Sequence, residues 1–176
     1  MNHHNTAKRN DFTITQRVVQ YVDLNNDYES IRKNYSENLK RNLKKAEKHK
    51  VRLIKNIMPE KVVDSFRLTQ GKNLKIFRKK NYLQLVDLIK QLIDKGVGQT
   101  AGIYSMDNIL CASASFMQSH NRIIYLKGAA TDKGKEIGAM HYLMDYVIKE
   151  NAGSGLLFDF GGSVVESVAR FNKSFG

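Results

Sequence analysis

Residues 122–160 constrain the fold more than any other stretch, because their pattern changes from strand to loop to helix to strand. The strands are predicted from short β-branched and aromatic runs bounded by Gly or Asn. The helix is predicted from apolar side chains that recur at i, i+3, i+4 and i+7 between Ile137 and Ile148. A strand, a crossover helix and a second strand normally form a right-handed unit with parallel strands. The segment therefore predicts a β-α-β unit.

The loop of this unit, residues 131–138, is a candidate anion site. It follows a strand and opens a helix, where free backbone N–H groups and the positive end of the helix dipole attract anions. Gly134 and Gly138 would let the backbone approach a ligand closely, and Lys133 and Lys135 add positive charge. An ordinary strand-to-helix connection with two turn glycines explains the same residues, and the spacing alone favours that simpler interpretation.

The other predicted elements give the fold class. After a polar lead-in at residues 1–11 they are, in order, a strand at 12–24, a long helix at 28–49, a short strand at 51–54, a helix from Pro59 to Gly71, a basic linker at 71–80, a helix at 81–95, strands at 98–105, 109–117 and 122–127, the β-α-β helix, a strand at 156–160 and a last helix that starts at Gly161, Gly162 and Ser163. Short links between the three middle strands predict an antiparallel meander. Residues 12–176 therefore predict a single α/β (α+β) domain with a mixed, mostly antiparallel sheet and flanking helices.

The positive charge is concentrated in one part of the chain. The formal net charge is +12, and residues 32–95 hold 19 Lys and Arg against 6 Asp and Glu. The basic face of the predicted helix at 28–49 consists of Lys40, Arg41, Lys44, Lys45 and Lys48. Such a surface attracts polyanions such as RNA, nucleotide phosphates or acidic cell-wall precursors. A solvated basic face that serves solubility alone explains the same pattern.

Composition excludes several classes of protein. The single cysteine, Cys111, excludes an internal disulfide and fits a reducing compartment. No apolar run approaches the ~20 residues that a membrane span requires, and no signal peptide is visible, so a cytoplasmic location is expected. The histidines lack the spacing of metal ligands, so no metal site and no tightly bound cofactor are predicted.

Three pieces of the sequence point to a family. They are Tyr-Ser-Glu-Asn-Leu-Lys-Arg-Asn-Leu-Lys-Lys-Ala-Glu-Lys at 35–48, the strand, loop and helix at 122–150, and Phe-Asp-Phe-Gly-Gly-Ser at 158–163, which leads into Ala-Arg-Phe-Asn-Lys-Ser-Phe-Gly at 169–176. With the order of the elements, they resemble the GNAT acyltransferase superfamily. Within it, the chain is similar to the Fem-type peptidoglycan aminoacyltransferases. The resemblance covers most of residues 12–176. It implies that the chain is either the second domain of a longer, two-domain protein or a minimal version of such a protein.

The resemblance also implies an activity. The sheet of the family splays between the strands matched here by 122–127 and 156–160, and acyl-CoA (acetyl-CoA) or the aminoacyl end of a tRNA enters as co-substrate. An amine, in the Fem branch a cell-wall precursor, then attacks the activated carbonyl. The residues implied to hold donor phosphates are Lys133, Gly134, Lys135, Gly138 and Ala139, with Lys173 as a further phosphate contact. Met140 departs from the GNAT acetyl-CoA loop, Gln/Arg-x-x-Gly-x-Gly/Ala, at its sixth place.

Asp159 is the candidate catalytic residue, because it is a carboxylate between two Phe residues of a predicted strand. A carboxylate there needs a partner. Two interpretations stay open: a base or orienting group at the splay, or a structural group that accepts the N–H of Gly161 or Gly162. His141 lies on an apolar helix face and is predicted to be a core histidine, and Cys111 is predicted to be a buried, inert thiol.

Two other functions explain parts of the sequence. A non-catalytic RNA-binding or polyanion-binding module would use the basic helix alone, in which case changes at Asp159 or Gly138 have no effect. A degenerate GNAT domain would serve as the scaffold half of a two-domain transferase. The sequence leaves both open beside the acyltransferase.

Overall fold

A computed structural model of the chain describes residues 19–73, 77–163 and 165–176. The strands are β1 (Val19–Asp23), β2 (Arg52–Lys55), β3 (Gly98–Tyr104), β4 (Leu110–Ser119), β5 (Arg122–Ala130) and β6 (Leu157–Gly162). The helices are α1 (Tyr28–Lys33), α2 (Glu37–Lys48), α3 (Pro59–Leu68), α4 (Lys79–Asp94), α5 (Asp132–Glu136), α6 (Ala139–Glu150) and α7 (Glu166–Lys173), and a 3-10 turn lies at Gln70–Asn73. Residues 12–18 of the first predicted strand and residues 74–76 of the predicted linker lie outside the described residues.

The six strands form one sheet in the order β1-β6-β5-β4-β3-β2. Neighbouring strands are antiparallel except β5 and β6, which are parallel and are connected by α5 and α6. The predicted fold class, the meander of β3, β4 and β5, and the β-α-β unit are therefore confirmed. Among the described residues, no helix combines the length and the apolar character that crossing a bilayer requires.

The sheet separates two layers of helices. Side chains of a strand alternate between its faces, and in β4 Ala112, Ala114 and Phe116 join the main core, to which α2 and α6 contribute. On the opposite face, Val63 of α3 and Val86 of α4 form a smaller core with Leu126 of β5. The sheet is therefore covered on both sides at β4, as its small and apolar residues predict.

The predicted single helix at 28–49 is wrong, because the chain turns between α1 and α2. Ser36 has extended backbone angles, φ −62° and ψ 152°, and its side chain accepts the N–H of Leu39 and so caps α2. Its own N–H donates to the carbonyl of Ser174 at 2.9 Å. The turn lets α1 pack separately on α6, where the Tyr28 hydroxyl donates to the carboxylate of Asp145 at 2.9 Å.

Two predicted boundaries near the end of the chain also change. The loop at 131–138 contains α5, whose cap is the Thr131 hydroxyl, which accepts the N–H of Gly134 at 3.0 Å. Gly161 and Gly162 were predicted to start the last helix, but they end β6, because Val19 of β1 pairs with Gly162 and extends the strand. Helix α7 begins only at Glu166.

Candidate active site

The parallel strands β5 and β6 pair only at their first residues. Arg122, Ile123 and Ile124 of β5 pair with Leu157, Phe158 and Asp159 of β6. Beyond Ile124 and Asp159 the ladder ends, although β5 continues to Ala130 and β6 to Gly162. We call this point the fork. The two strands therefore part in the direction of their carboxyl ends, as the family resemblance implies.

A β-bulge lies on the other flank of β5, just beyond the fork. Ser115 of β4 pairs with Lys127, and the next residue, Phe116, pairs with Tyr125, so Leu126 is the additional residue of β5. A bulge re-aims the side chains around it. Leu126 packs against α3 and α4, and the ammonium group of Lys127 lies 4.3 Å from the ring centroid of Phe66 in α3.

Asp159 lies at the fork with both carboxylate oxygens engaged. Oδ2 accepts a hydrogen bond from Nη1 of Arg122 at 2.9 Å, and Oδ1 accepts the N–H of Gly161 at 2.8 Å. The side chain of Asp159 is 15% exposed and that of Arg122 is 36% exposed. The Gly161 contact is the structural contact that the sequence analysis considered. The Arg122 contact joins the last paired residue of β6 to the first paired residue of β5.

Aromatic side chains fill the α6 and α7 side of the parted strands. Phe160 of β6 contacts Phe171 and Phe175, with ring centroids 6.5 and 5.1 Å away. His141 of α6 lies 4.7 Å from the Phe171 ring, and burial lowers its pKa to about 4. Tyr125, the first residue of β5 beyond the fork, packs against the main core, and burial raises its pKa. His141 is thus half-buried against aromatic rings, at the edge of the core in which the sequence predicts it.

The glycines of the predicted phosphate loop lie against the protein's own backbone. A Cβ at Gly134 would lie 1.9 Å from the carbonyl oxygen of Cys111, and one at Gly138 would lie 2.5 Å from the carbonyl oxygen of Asn42 in α2. Gly138 also has a φ of +72°, which favours glycine. Both glycines therefore have a structural explanation, and their part in donor binding stays a prediction.

The other loop residues differ in exposure. Ala139, the first residue of α6, is completely buried, whereas Lys133 and Lys135 are exposed. The Lys135 ammonium contacts the carboxylate of Asp132 at 2.8 Å. No side chain caps α6 among the described residues, so its first backbone N–H groups have no side-chain acceptor there.

Helix α2 lies beside this loop through the contact of Asn42 with Gly138. Arg41 and Lys45 are exposed and flank Asn42 on the helix surface. The other predicted polyanion contacts on α2 are Lys40, which pairs with Glu37 at 3.0 Å, and the exposed Lys44 and Lys48. The fold therefore places basic residues of α2 and of the loop at the same edge.

Lys173 and Asp159 lie apart from that edge. Lys173 is exposed in the last turn of α7, and no contact between described residues joins it to the loop. Asp159 pairs with Ile124, and the loop starts seven residues further along β5, about 20 Å away at the rise of a strand. A ligand that reaches from the loop to the fork must therefore be long.

Sequence reasoning missed Arg122 and Lys127 as candidate site residues. Arg122 pairs with a carboxylate 37 positions away, and only the parallel register brings the two together. Lys127 follows an apolar run in a predicted strand, which is an unusual place for a charge. The unusual place of this charge can be recognised in the sequence. The aromatic ring that Lys127 contacts cannot, because it belongs to α3.

The arrangement defines a class of fold: a mixed sheet whose two parallel strands part, with a helix that opens beside the carboxyl end of the first. This is a GNAT-like fold. The crystal structure of FemX matches with a TM-score of 0.75 at 12% identity, over 95% of this chain and 60% of that one. L-PGS from Bacillus licheniformis matches with a TM-score of 0.53 at 15% identity, over 87% of this chain and 48% of that one.

A smaller protein shares the same fold. A predicted acetyltransferase with acetyl-CoA from Clostridium acetobutylicum matches with a TM-score of 0.50 at 10% identity, over 69% of this chain and 87% of that one. No protein-family model and no curated protein matches the sequence. The chain spans only 60% of FemX and 48% of L-PGS.

Proposed function

We propose that this domain is an N-acyltransferase that moves an acyl or aminoacyl group from acyl-CoA or aminoacyl-tRNA to an amine. The observation that carries the proposal is the fork, where β5 and β6 stop pairing although both strands continue. Unpaired strand edges within a sheet offer backbone groups to an extended ligand. The likeness to FemX and to a predicted acetyltransferase supports the same class of reaction.

The distance between loop and fork supports a long donor with an anionic tail. Acyl-CoA and the aminoacyl end of tRNA both carry phosphates at some distance from an activated carbonyl. In the proposed complex Lys133, Gly134, Lys135, Gly138 and Ala139 hold the phosphates, with Lys173 as a further contact. The carbonyl then lies near the fork, about 20 Å from the loop.

Asp159 is proposed as the residue that orients the reaction centre. Because Arg122 and the Gly161 N–H occupy its two oxygens, it holds the fork in place rather than offering a free base. The acceptor amine attacks the carbonyl directly, and the tetrahedral intermediate expels a thiolate from CoA or an alkoxide from tRNA, which takes up the amine's proton. Rate enhancement comes from positioning and from N–H groups that stabilise the oxyanion.

The acceptor is proposed to be a small amine or a cell-wall precursor, and the proposed location is cytoplasmic. The exposed basic residues of α2, with Lys40, would guide a polyanionic donor or acceptor toward the neighbouring loop. An aminoacyl-tRNA donor would use this surface more than acyl-CoA, because tRNA presents many more phosphates.

Isothermal titration with acetyl-CoA and with aminoacyl-tRNA tests the proposal. We expect one donor to bind, and we expect the double variant Lys133→Glu/Lys135→Glu to weaken binding about tenfold or more through charge repulsion. The double variant Lys80→Glu/Lys95→Glu, which changes exposed lysines at the two ends of α4, is the matched control for the change in net charge. If neither donor binds, the proposal is overturned.

A non-catalytic RNA-binding module is the second candidate, and the exposed row Arg41, Lys44, Lys45 and Lys48 favours it. This function predicts RNA binding whose affinity falls steeply with salt. It also predicts that Asp159→Asn leaves binding unchanged. An acyltransferase that uses tRNA would instead discriminate aminoacylated from deacylated tRNA.

A scaffold domain of a two-domain transferase is the third candidate, favoured by the chain's coverage of only 60% of FemX. Such a domain would bind neither donor by itself. The coding sequence on both sides of residues 1–176 distinguishes this case, because a scaffold requires a second GNAT-like domain in the same protein.

A further inference from the structure

Lys127 occupies an unusual place beside the fork. It is the third residue of β5 after Ile124, so β6 has already left the ladder at this point. The bulge at Leu126 turns Lys127 to the face of the sheet that α3 covers. The loop that would hold donor phosphates instead precedes α6, on the opposite layer. Lys127 therefore lies on the side of the parted strands away from that helix.

The surroundings of Lys127 are aromatic. Its ammonium group lies over the ring of Phe66, which is buried. Phe77 and Tyr82 pack around the same ring, with centroids 6.2 and 6.4 Å from Phe66. An aromatic face offsets part of the free-energy cost of removing water from a cation. The three rings thus hold the ammonium group of Lys127 where water is partly excluded, beside the unpaired edge of β5.

No carboxylate among the described residues pairs with Lys127. Lys40, Lys55 and Lys135 each have a carboxylate oxygen within 3.0 Å, whereas Lys127 has none within salt-bridge distance in the described part of the chain. Lys127 is half-buried, and burial alone lowers its pKa. A partly desolvated charge without a counter-ion is unfavourable. The binding of an anion beside such a group therefore lowers the free energy.

We propose that Lys127 binds an anionic group of the acyl acceptor, a carboxylate or a phosphate, and so positions the acceptor amine beside the fork. The inference rests on the proposed function and deepens it, because it names the chemistry of the acceptor: an amine that carries a negative charge. Donor phosphates bind on the α6 side, and the acceptor anion binds on the α3 side. The two substrates then meet across the parted strands.

Lysine methyl NMR on the whole chain tests this proposal. The lysines are reductively methylated with a carbon-13 label, and Lys127→Arg identifies the Lys127 signal because arginine is not methylated. The probes are alanine and phosphoethanolamine, which carry a carboxylate and a phosphate, and alaninamide, which carries neither. Each is added with and without saturating CoA. We expect one or both anionic probes to raise the titration midpoint of Lys127 by about one pH unit.

Lys61 is the matched control, because its ammonium group also lies over a ring, that of Tyr104 at 5.8 Å, but the side chain is exposed. Its midpoint should not move. A response to alanine alone assigns a carboxylate, and a response to phosphoethanolamine alone assigns a phosphate. The proposal is overturned by no response to either anionic probe, by an equal response to alaninamide or at Lys61, or by a shift that CoA alone produces.

Thermal unfolding separates binding from a structural role. Lys127→Met keeps the aliphatic stem over Phe66 and removes the unpaired charge, so we expect an unfolding midpoint equal to or above that of the wild type. A clear fall relative to Lys61→Met would assign Lys127 a structural role and overturn the proposal. Titration of the donors is independent of both readouts: donor binding without a Lys127 response rejects only this inference, and the reverse rejects only the proposed function.

Discussion

The two flanks of β5 are built in opposite ways. On one flank β4 pairs with β5 along its whole length, from Ser119 with Arg122 to Ala112 with Ala130. On the other flank β6 leaves after three pairs. The closed flank ends where α5 packs on β4, so close that Gly134 has no room for a side chain beside the carbonyl group of Cys111. The parted flank is held by the ion pair of Arg122 with Asp159 and by aromatic rings.

The difference separates stability from ligand binding. Backbone contact without space for a Cβ adds rigidity, so changes on the closed flank should affect mainly the free energy of unfolding. The parted flank has polar groups whose loss affects stability little. Changes there should affect the binding of a donor or an acceptor. Three predictions test this division.

Gly134→Ala should have the largest effect, because it breaks the closed flank. The added Cβ would lie 1.9 Å from the carbonyl oxygen of Cys111, and a backbone oxygen cannot move aside as a flexible side chain can. We expect the free energy of unfolding to fall by about 3 kcal/mol or more, measured by urea denaturation. Gly153→Ala is the control: it has a φ of +77° but nothing within 4 Å of the added Cβ, so a loss of about 1 kcal/mol is expected. Equal losses in the two variants would contradict the explanation.

His141 tests the apolar filling of the parted flank. Burial lowers its pKa from 6.5 to about 4. Below pH 6.5 the unfolded chain therefore binds a proton at His141 that the folded chain does not bind. Stability is therefore lost as the pH falls from 6.5 toward 4. At pH 5 this loss amounts to about 2 kcal/mol.

The measurement compares wild type with His141→Phe, which keeps an aromatic ring next to Phe171. Urea denaturation at pH 7.5 and 5.0 should show a loss for the wild type about 2 kcal/mol greater than for the variant. Asp145, one turn further along α6, has a pKa raised by burial and contributes in the opposite direction, but equally in both proteins. An identical pH dependence of the two proteins would show that His141 is accessible to water.

Sequence patterns predicted the β-α-β unit and the meander, because both depend on local periodicity. They did not predict the break at Ser36, although Ser is a strong helix cap, because apolar spacing continues through it. The sequence also did not show why glycine is required at positions 134 and 138. The residues that exclude a Cβ there, Cys111 and Asn42, come from distant elements.

The candidate site was predicted only in part for the same reason. Asp159 stood out as a carboxylate in an apolar strand, but its partner Arg122 depends on the register of β5 with β6. Lys127 depends on a bulge and on a ring from α3. A bulge is fixed by the pairing of two strands, and a single sequence does not determine where that pairing slips.

The ion pair of Arg122 with Asp159 should have the smallest effect on stability and decides whether the division between the flanks holds. Because Arg122 is 36% exposed, water weakens the interaction. A double-mutant cycle with Arg122→Met and Asp159→Asn should give a coupling energy of about 0.5–1 kcal/mol. Donor binding should fall about tenfold in Asp159→Asn, which corresponds to about 1.4 kcal/mol. The pair of Lys55 with Glu150, at 2.8 Å and outside the fork, is the matched control, and Glu150→Gln should leave donor binding unchanged. If Asp159→Asn binds the donor as well as Glu150→Gln and the wild type do, the ion pair at the fork has only a structural role. The parted flank then takes no part in donor binding.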